Sequence, residues 1–81
     1  LQVVDVRNES EFKLGSVQGA TNIPVVQLSN RISELNPALP TVVYCAGGYR
    51  SSIASSLLKR AGFADVSDVL GGFESIRLVR Q

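Results

Sequence analysis

The stretch Thr41-Val42-Val43-Tyr44-Cys45-Ala46-Gly47-Gly48-Tyr49-Arg50-Ser51 changes character twice within a few residues. From Thr41 to Tyr44 every residue is β-branched or aromatic, following Pro40, which predicts a buried strand ending at Cys45. A glycine pair then breaks the strand. Beyond it Ile53, Ala54, Leu57, Leu58 and Ala61 recur at helical spacing, with Ser51 and Ser52 opening the helix and Gly62 placed as its C-terminal cap. Strand, loop and helix in this order put Cys45 where a strand gives way to a helix N-terminus.

Working outward, Val3, Val4 and Val6 around Asp5 form a second β-branched run, stopped by Arg7-Asn8-Glu9-Ser10. Asn8 followed by Glu11 has the spacing of a capping box, and predicts a short helix that holds Phe12 and ends at Gly15. Ala20-Thr21-Asn22-Ile23 reads as a brief strand closed by Pro24. Val25, Leu28, Ile32 and Leu35 predict one apolar face of a helix stopped near Asn36-Pro37. On the far side, Val66 to Leu70 reads as a strand, Gly71-Gly72 as a turn, and Phe73 to Val79 as a closing helix. Strands alternating with helices predict an α/β domain with a central parallel sheet and helices on both faces, in which ligands bind beyond the carboxyl ends of the strands. Cys45 lies at such an end.

Composition narrows the chemistry. The 81 residues suffice for one domain, and 44% apolar with 19% charged residues is the balance of a folded globular chain. Eight Lys and Arg against seven Asp and Glu give a net charge of +1, without the clustered basic surface that nucleic acid requires. No apolar run approaches the ~18 residues of a membrane span, so no membrane partner is expected and a cytoplasmic protein is. With one cysteine and no histidine, a disulfide, a Cys-x-x-Cys pair, a thiolate metal cluster and a Cys-His dyad are all excluded within the chain. No cofactor or metal is implied. The apolar run that starts at Leu1 implies a domain trimmed at its N-terminus, with residues 1–81 a piece of a longer protein.

Any activated thiolate must then depend on arginine, lysine or backbone dipoles. Gly47 and Gly48 allow backbone N–H groups to turn inward as an anion-binding nest, and the helix N-terminus favours the same charge. Arg50 adds a fixed positive charge, so Cys45 is expected to ionise more easily than a free thiol. A plainer reading exists for each part: a lone cysteine ending a buried strand also serves as a small hydrophobe, and Gly-Gly also serves as a turn.

Val4-Asp5-Val6-Arg7 with Glu11-Phe12, Gly19-Ala20 with Asn22-Ile23-Pro24, Cys45 through Ser51, and Leu70-Gly71-Gly72-Phe73 together resemble the rhodanese-like superfamily, in the family's order and along nearly the whole chain. The resemblance implies a sulfurtransferase that carries a sulfane sulfur from thiosulfate or a persulfide on Cys45 to a thiol or cyanide. It implies that the amides of Ala46, Gly47, Gly48, Tyr49, Arg50 and Ser51 form the sulfur cradle, that Arg50 closes the loop, and that Asp5 and Arg7 support the sheet edge as an ion pair. Glu11 is read as a helix N-terminal charge, and Tyr49 as either facing a donor or packing on a neighbouring domain. The loop Cys-Ala-Gly-Gly-Tyr-Arg-Ser is similar to those of rhodanese domains fused to a metallo-β-lactamase-fold domain, which implies such a domain as a partner. Family members without the cysteine serve as binding or regulatory modules, and related phosphatases carry one more residue between Cys and Arg; both patterns differ from this loop. Gly15-Ser16-Val17 stands where the family usually has Gly-His-Ile, and the family's usual first helix and strand are absent.

Overall fold

The computed structural model describes residues 1–69 and Gly72. Strand β1 (Gln2–Asp5) is followed by helix α1 (Glu9–Leu14), strand β2 (Thr21–Asn22), a 3₁₀ turn at Val25–Gln27, helix α2 (Leu28–Arg31), a second 3₁₀ turn at Ile32–Glu34, strand β3 (Thr41–Tyr44), helix α3 (Tyr49–Arg60) and strand β4 (Val66–Asp68). The four strands form one sheet in the order β2-β1-β3-β4, with every neighbouring pair parallel. From β1 the chain steps one way to β2, then the other way to β3 and on to β4. Right-handed crossovers therefore send α1 to one face and α2 and α3 to the other. Consistent with this, α3 touches the turn that leads into α2.

Alternation along the strands divides the two faces chemically. Val4, Val6, Val43 and Cys45 enter an apolar cluster with Ile23, Leu28, Leu35, Ala54, Leu58 and Phe63. Asp5 and Tyr44, paired in register and both fully buried, belong to the alternate positions. Buried charge demands a partner, and Asp5 finds it two residues on: Arg7 donates through Nε and Nη2 to the carboxylate at 2.7–3.1 Å, and its own backbone N–H adds a bond of 2.9 Å. Arg7 Nη2 also donates to the Gly15 carbonyl at 2.6 Å, which ties the end of α1 to β1. The guanidinium lies 5.6 Å from the Tyr44 ring centroid, while Tyr44 Oη accepts the Val17 N–H at 3.0 Å. Burial pushes the Tyr44 hydroxyl up to about 12. Asn22 Nδ2 donates to the carbonyls of both Asp5 and Arg7 at 3.0 Å and so holds the exit of β1 against β2.

Within the described residues the elements read from sequence form, with informative differences. In α1 the capping arrangement is present, with Asn8 N–H donating to Glu11 Oε1 at 3.0 Å, and Gly15 closes the helix. The helix expected from Val25 to Leu35 is instead broken into a 3₁₀ turn, one α-turn and another 3₁₀ turn. Its apolar face still packs inward, Leu28 and Leu35 buried and Val25 and Ile32 partly so. Pro24, the Val25-Val26 pair and Ser29-Asn30 are poor helix material, and burial of one face does not require an uninterrupted ladder.

Helix α3 begins at Tyr49, two residues earlier than expected, and buries Ser51, Ala54, Ser55 and Leu58, leaving Ile53 39% exposed and Ala61 exposed. The stripe was thus placed a fraction of a turn away from the face that packs. Gly62, at φ 99°, lies just past the helix; its N–H reaches Lys59 O and that of Phe63 reaches Leu58 O, a Schellman closure. The strand read from Val66 to Leu70 runs from Val66 to Asp68, with Val69 N–H still bonded to Val43 O. Leu70, Gly71 and the helix expected over Phe73 to Val79 lie outside the described residues.

Removing one partner of the buried pair leaves the other charge uncompensated. Arg7→Met is expected to lower stability by about 3–5 kcal/mol, the usual loss on breaking a buried pair, read from the urea unfolding midpoint; a change within experimental scatter would show that the pair is solvated in solution.

Candidate active site

The parallel ladder delivers Cys45 to the carboxyl edge of the sheet, with the residue only 1% exposed. The chain must then turn at once into α3, and Gly48 makes the turn. Its φ of 97° lies in the left-handed region, where a side chain would be strained. Gly48 is the N-cap of α3, so the helix begins without a side-chain cap. The turn points the Gly48 N–H at Cys45 Sγ, 3.0 Å away, and the Ser51 N–H at the third position of the helix reaches the same sulfur at 3.3 Å. Gly47 is exposed and not left-handed, so of the glycine pair only Gly48 is conformationally required.

These contacts shift the thiol. Burial pushes it up, but the amides of Ser51, Gly48 and Gly47 favour the thiolate, as does the Ser51 hydroxyl whenever its proton faces the sulfur, and together they leave Cys45 below its ordinary value. Ser51 is itself fully buried, and its Oγ lies 3.5 Å from Sγ, 3.1 Å from the Gly48 carbonyl and 2.5 Å from Asp68 Oδ1. Asp68, at the end of β4 and in register with Val43, was not anticipated from sequence. Nothing local marks it; only the β3–β4 pairing brings it to the loop.

Arg50 is engaged differently from its sequence-based reading as a bare charge beside the thiol. Its Nη1 and Nη2 donate to Glu11 Oε1 and Oε2 at 2.7 and 3.1 Å, a forked pair between α3 and α1. Its pKa is raised chiefly by that hydrogen bond, with a smaller part from the charge of Cys45. Glu11, held by Arg50, falls from 4.5 to about 2. It therefore caps α1 and clamps the loop at once. Ala46 is exposed, and Tyr49 is 77% exposed on the first turn of α3. Asp5 and Arg7 form the ion pair described above, away from the sulfur on the alternate positions of the sheet.

One more glycine completes the frame. Gly72 has φ 65°, and a Cβ there would collide with the carbonyls of Cys45 and Ala46. The chain leaving β4 thus presses on the first peptides of the loop, where no side chain fits. Among the described residues, no group of three or more His, Cys, Asp or Glu is placed to hold a metal.

The family model for the rhodanese-like domain matches residues 1–78. The chain belongs to the rhodanese-like family. A rhodanese-related protein from Thermoplasma volcanium superposes with a TM-score of 0.89 at 33% identity, covering 96% of this chain and 77% of that one. The thiosulfate sulfurtransferase GlpE of Shewanella oneidensis is 35% identical over 93% of this chain and 74% of its own length. A NAD-dependent persulfide reductase from A. fulgidus matches 88% of this rhodanese-like domain at 38% identity and a TM-score of 0.77, but the match is 13% of that chain. The domain spans between 24% and 58% of the length of four other curated relatives, so its relatives include larger proteins that contain a rhodanese-like part.

Two outcomes follow from this geometry. Gly48→Ala is expected to cost about 1–2 kcal/mol, the strain of a left-handed residue with a Cβ, and to slow alkylation of Cys45 at neutral pH by misdirecting the N–H; normal alkylation would show that Gly48 is only a turn. Glu11 has a folded pKa below its unfolded one, so its pair stabilises fully above about 4.5 and is lost as pH falls toward about 2. Urea midpoints of Glu11→Gln should therefore depend less on pH across that window than those of the unaltered chain, and parallel curves would exclude the pair as a source of acid sensitivity.

Proposed function

We propose that this rhodanese-like domain is a sulfurtransferase that carries a sulfane sulfur on Cys45. The observation that supports it most directly is the convergence of the Gly48 and Ser51 N–H groups on Cys45 Sγ, at 3.0 and 3.3 Å, in a chain without histidine. A thiolate stabilised by amides needs no general base.

The proposed reaction has two displacements. The Cys45 thiolate attacks the outer sulfur of thiosulfate or of a persulfide; the donor's S–S bond breaks, its electron pair leaves as sulfite or a thiolate, and a new S–S bond forms to Cys45. An acceptor thiolate or cyanide then attacks that outer sulfur, and the electron pair returns to Cys45. The amides from Ala46 to Ser51 serve as the cradle. Those of Gly48 and Ser51 already serve Sγ, while those of Tyr49 and Arg50, at the first two helical positions, have no acceptor within the helix and are the donors for the outer sulfur. The dipole of α3 favours the same negative charge. Arg50 closes the loop through Glu11, and Asp5 with Arg7 holds the strand edge beneath it.

The substrates proposed are small sulfur donors and thiol acceptors, in the cytoplasm, where a lone thiol stays reduced. A fused metallo-β-lactamase-fold domain is the proposed source or recipient of the sulfur. The persulfide reductase matched above is likewise a larger chain with a rhodanese-like part.

Incubation with thiosulfate or glutathione persulfide should add the mass of one sulfur atom per chain, and cyanide should remove it as thiocyanate. Cys45→Ala should abolish both, since no second thiol can substitute. Undiminished transfer by Cys45→Ala, or no mass gain from any donor, would refute the reading and favour a binding module.

A further inference from the structure

Ser51 Oγ carries a single proton and has three acceptors within reach: Asp68 Oδ1 at 2.5 Å, the Gly48 carbonyl at 3.1 Å and Cys45 Sγ at 3.5 Å. Ser51 is fully buried, so water offers its hydroxyl no alternative. A charge-assisted bond to a carboxylate is roughly twice as strong as a neutral one. While Asp68 is ionised, the proton belongs to it. Ser51 then turns a lone pair toward Cys45, which suits a thiol that donates and opposes a thiolate that needs a donor.

We propose that Asp68 is a positioning residue that competes with Cys45 for the one proton of Ser51, and so restrains the empty site from presenting a thiolate. This rests on the reading of Cys45 as the sulfur-carrying nucleophile for its purpose, although the competition itself requires only the three side chains. In the sulfur-loaded form Sγ is divalent and carries no charge, because the charge has moved to the outer sulfur. It no longer needs the hydroxyl, and Ser51 can serve Asp68 without conflict. Asp68 thus favours the thiol and the loaded state over the bare thiolate. The hydroxyl changes sides by rotation about its C–O bond, with no proton transferred.

The surrounding charges do not confuse the test. From α1, Glu11 is paired with Arg50 of α3, and from β1, Asp5 is paired with Arg7. Among the described residues, the hydrogen bond of Asp68 is to Ser51, and no cation lies within ion-pair distance of it.

The apparent pKa of Cys45 is to be measured by the ultraviolet absorbance of its thiolate and by the pH dependence of iodoacetamide alkylation. The chains compared are the unaltered protein, Asp68→Asn, Asp68→Ala, Ser51→Ala and Ser51→Ala/Asp68→Asn, each first shown to unfold in a cooperative transition. Either Asp68 substitution should lower the apparent pKa by about one unit, a tenfold change in the thiolate-to-thiol ratio. Ser51→Ala should change it little by itself, yet should reverse most of the drop when added to Asp68→Asn. A drop that persists in the double variant is a plain charge effect and overturns the shared proton. An unchanged or raised pKa in both Asp68 variants overturns it as well, as does a Ser51→Ala effect of equal size in both backgrounds. No sulfur donor enters these measurements, so failure of the sulfurtransferase reading would appear separately, as the absence of a mass gain.

Discussion

The Gly48 N–H that meets Cys45 Sγ at 3.0 Å is the contact from which the rest of the site takes its orientation. A thiolate closing a buried strand would be costly without donors, and the chain has no histidine to supply them. The donors must therefore be peptides, which fixes the backbone rather than a side chain. A left-handed Gly48 turns one peptide inward and starts α3 immediately. The start of the helix then sets its rotation, because Ser51 must face the sulfur. With about 100° of turn per residue, Ser51, Ala54, Ser55 and Leu58 follow onto the inner face and Ile53 is carried outward. The need for peptide donors at the sulfur, not the apolar pattern alone, decides which side of the helix is core.

A second constraint is that, among the described residues, the arginines near the loop are already committed. Arg50 reaches back to Glu11 and Arg7 folds onto Asp5, so each guanidinium acts as a brace between elements. The first joins α3 to α1; the second, through Gly15 O, joins β1 to the end of α1. The donors at Cys45 consequently include three aligned peptide N–H groups, which cost no reorganisation when charge appears on sulfur. Peptides held by helix and sheet are also harder to displace than a long flexible side chain.

Much of this was legible in the chain. Alternating β-branched runs announced the parallel sheet, Asn8 and Glu11 announced α1, and Cys45 before a glycine pair announced the loop, because each is a local pattern. What the chain concealed depends on pairing at long range. Asp68 meets Ser51 only because β4 lies beside β3, and Glu11 meets Arg50 only because α1 returns to the edge where α3 begins. Composition does not encode either meeting. The stretch from Val25 to Leu35 kept its apolar spacing while losing its helical continuity, since burial selects which side chains point inward and leaves the hydrogen-bond pattern to the local residues.

The depth of the thiol has a geometric corollary. Cys45 is almost wholly enclosed, while Ala46, Gly47 and Tyr49 around it stand open to solvent. A reagent must then approach end-on, leading with a slender atom that fits between the peptides. The terminal sulfur of a linear donor satisfies this, whereas a sulfur flanked on both sides by carbon chains does not. In the proposed chemistry the added atom would stand one bond outward of Sγ, nearer the loop mouth than the cysteine. The protein would thereby extend its reach by one bond length, offering the cargo to an acceptor of any bulk while the cysteine stays behind the loop.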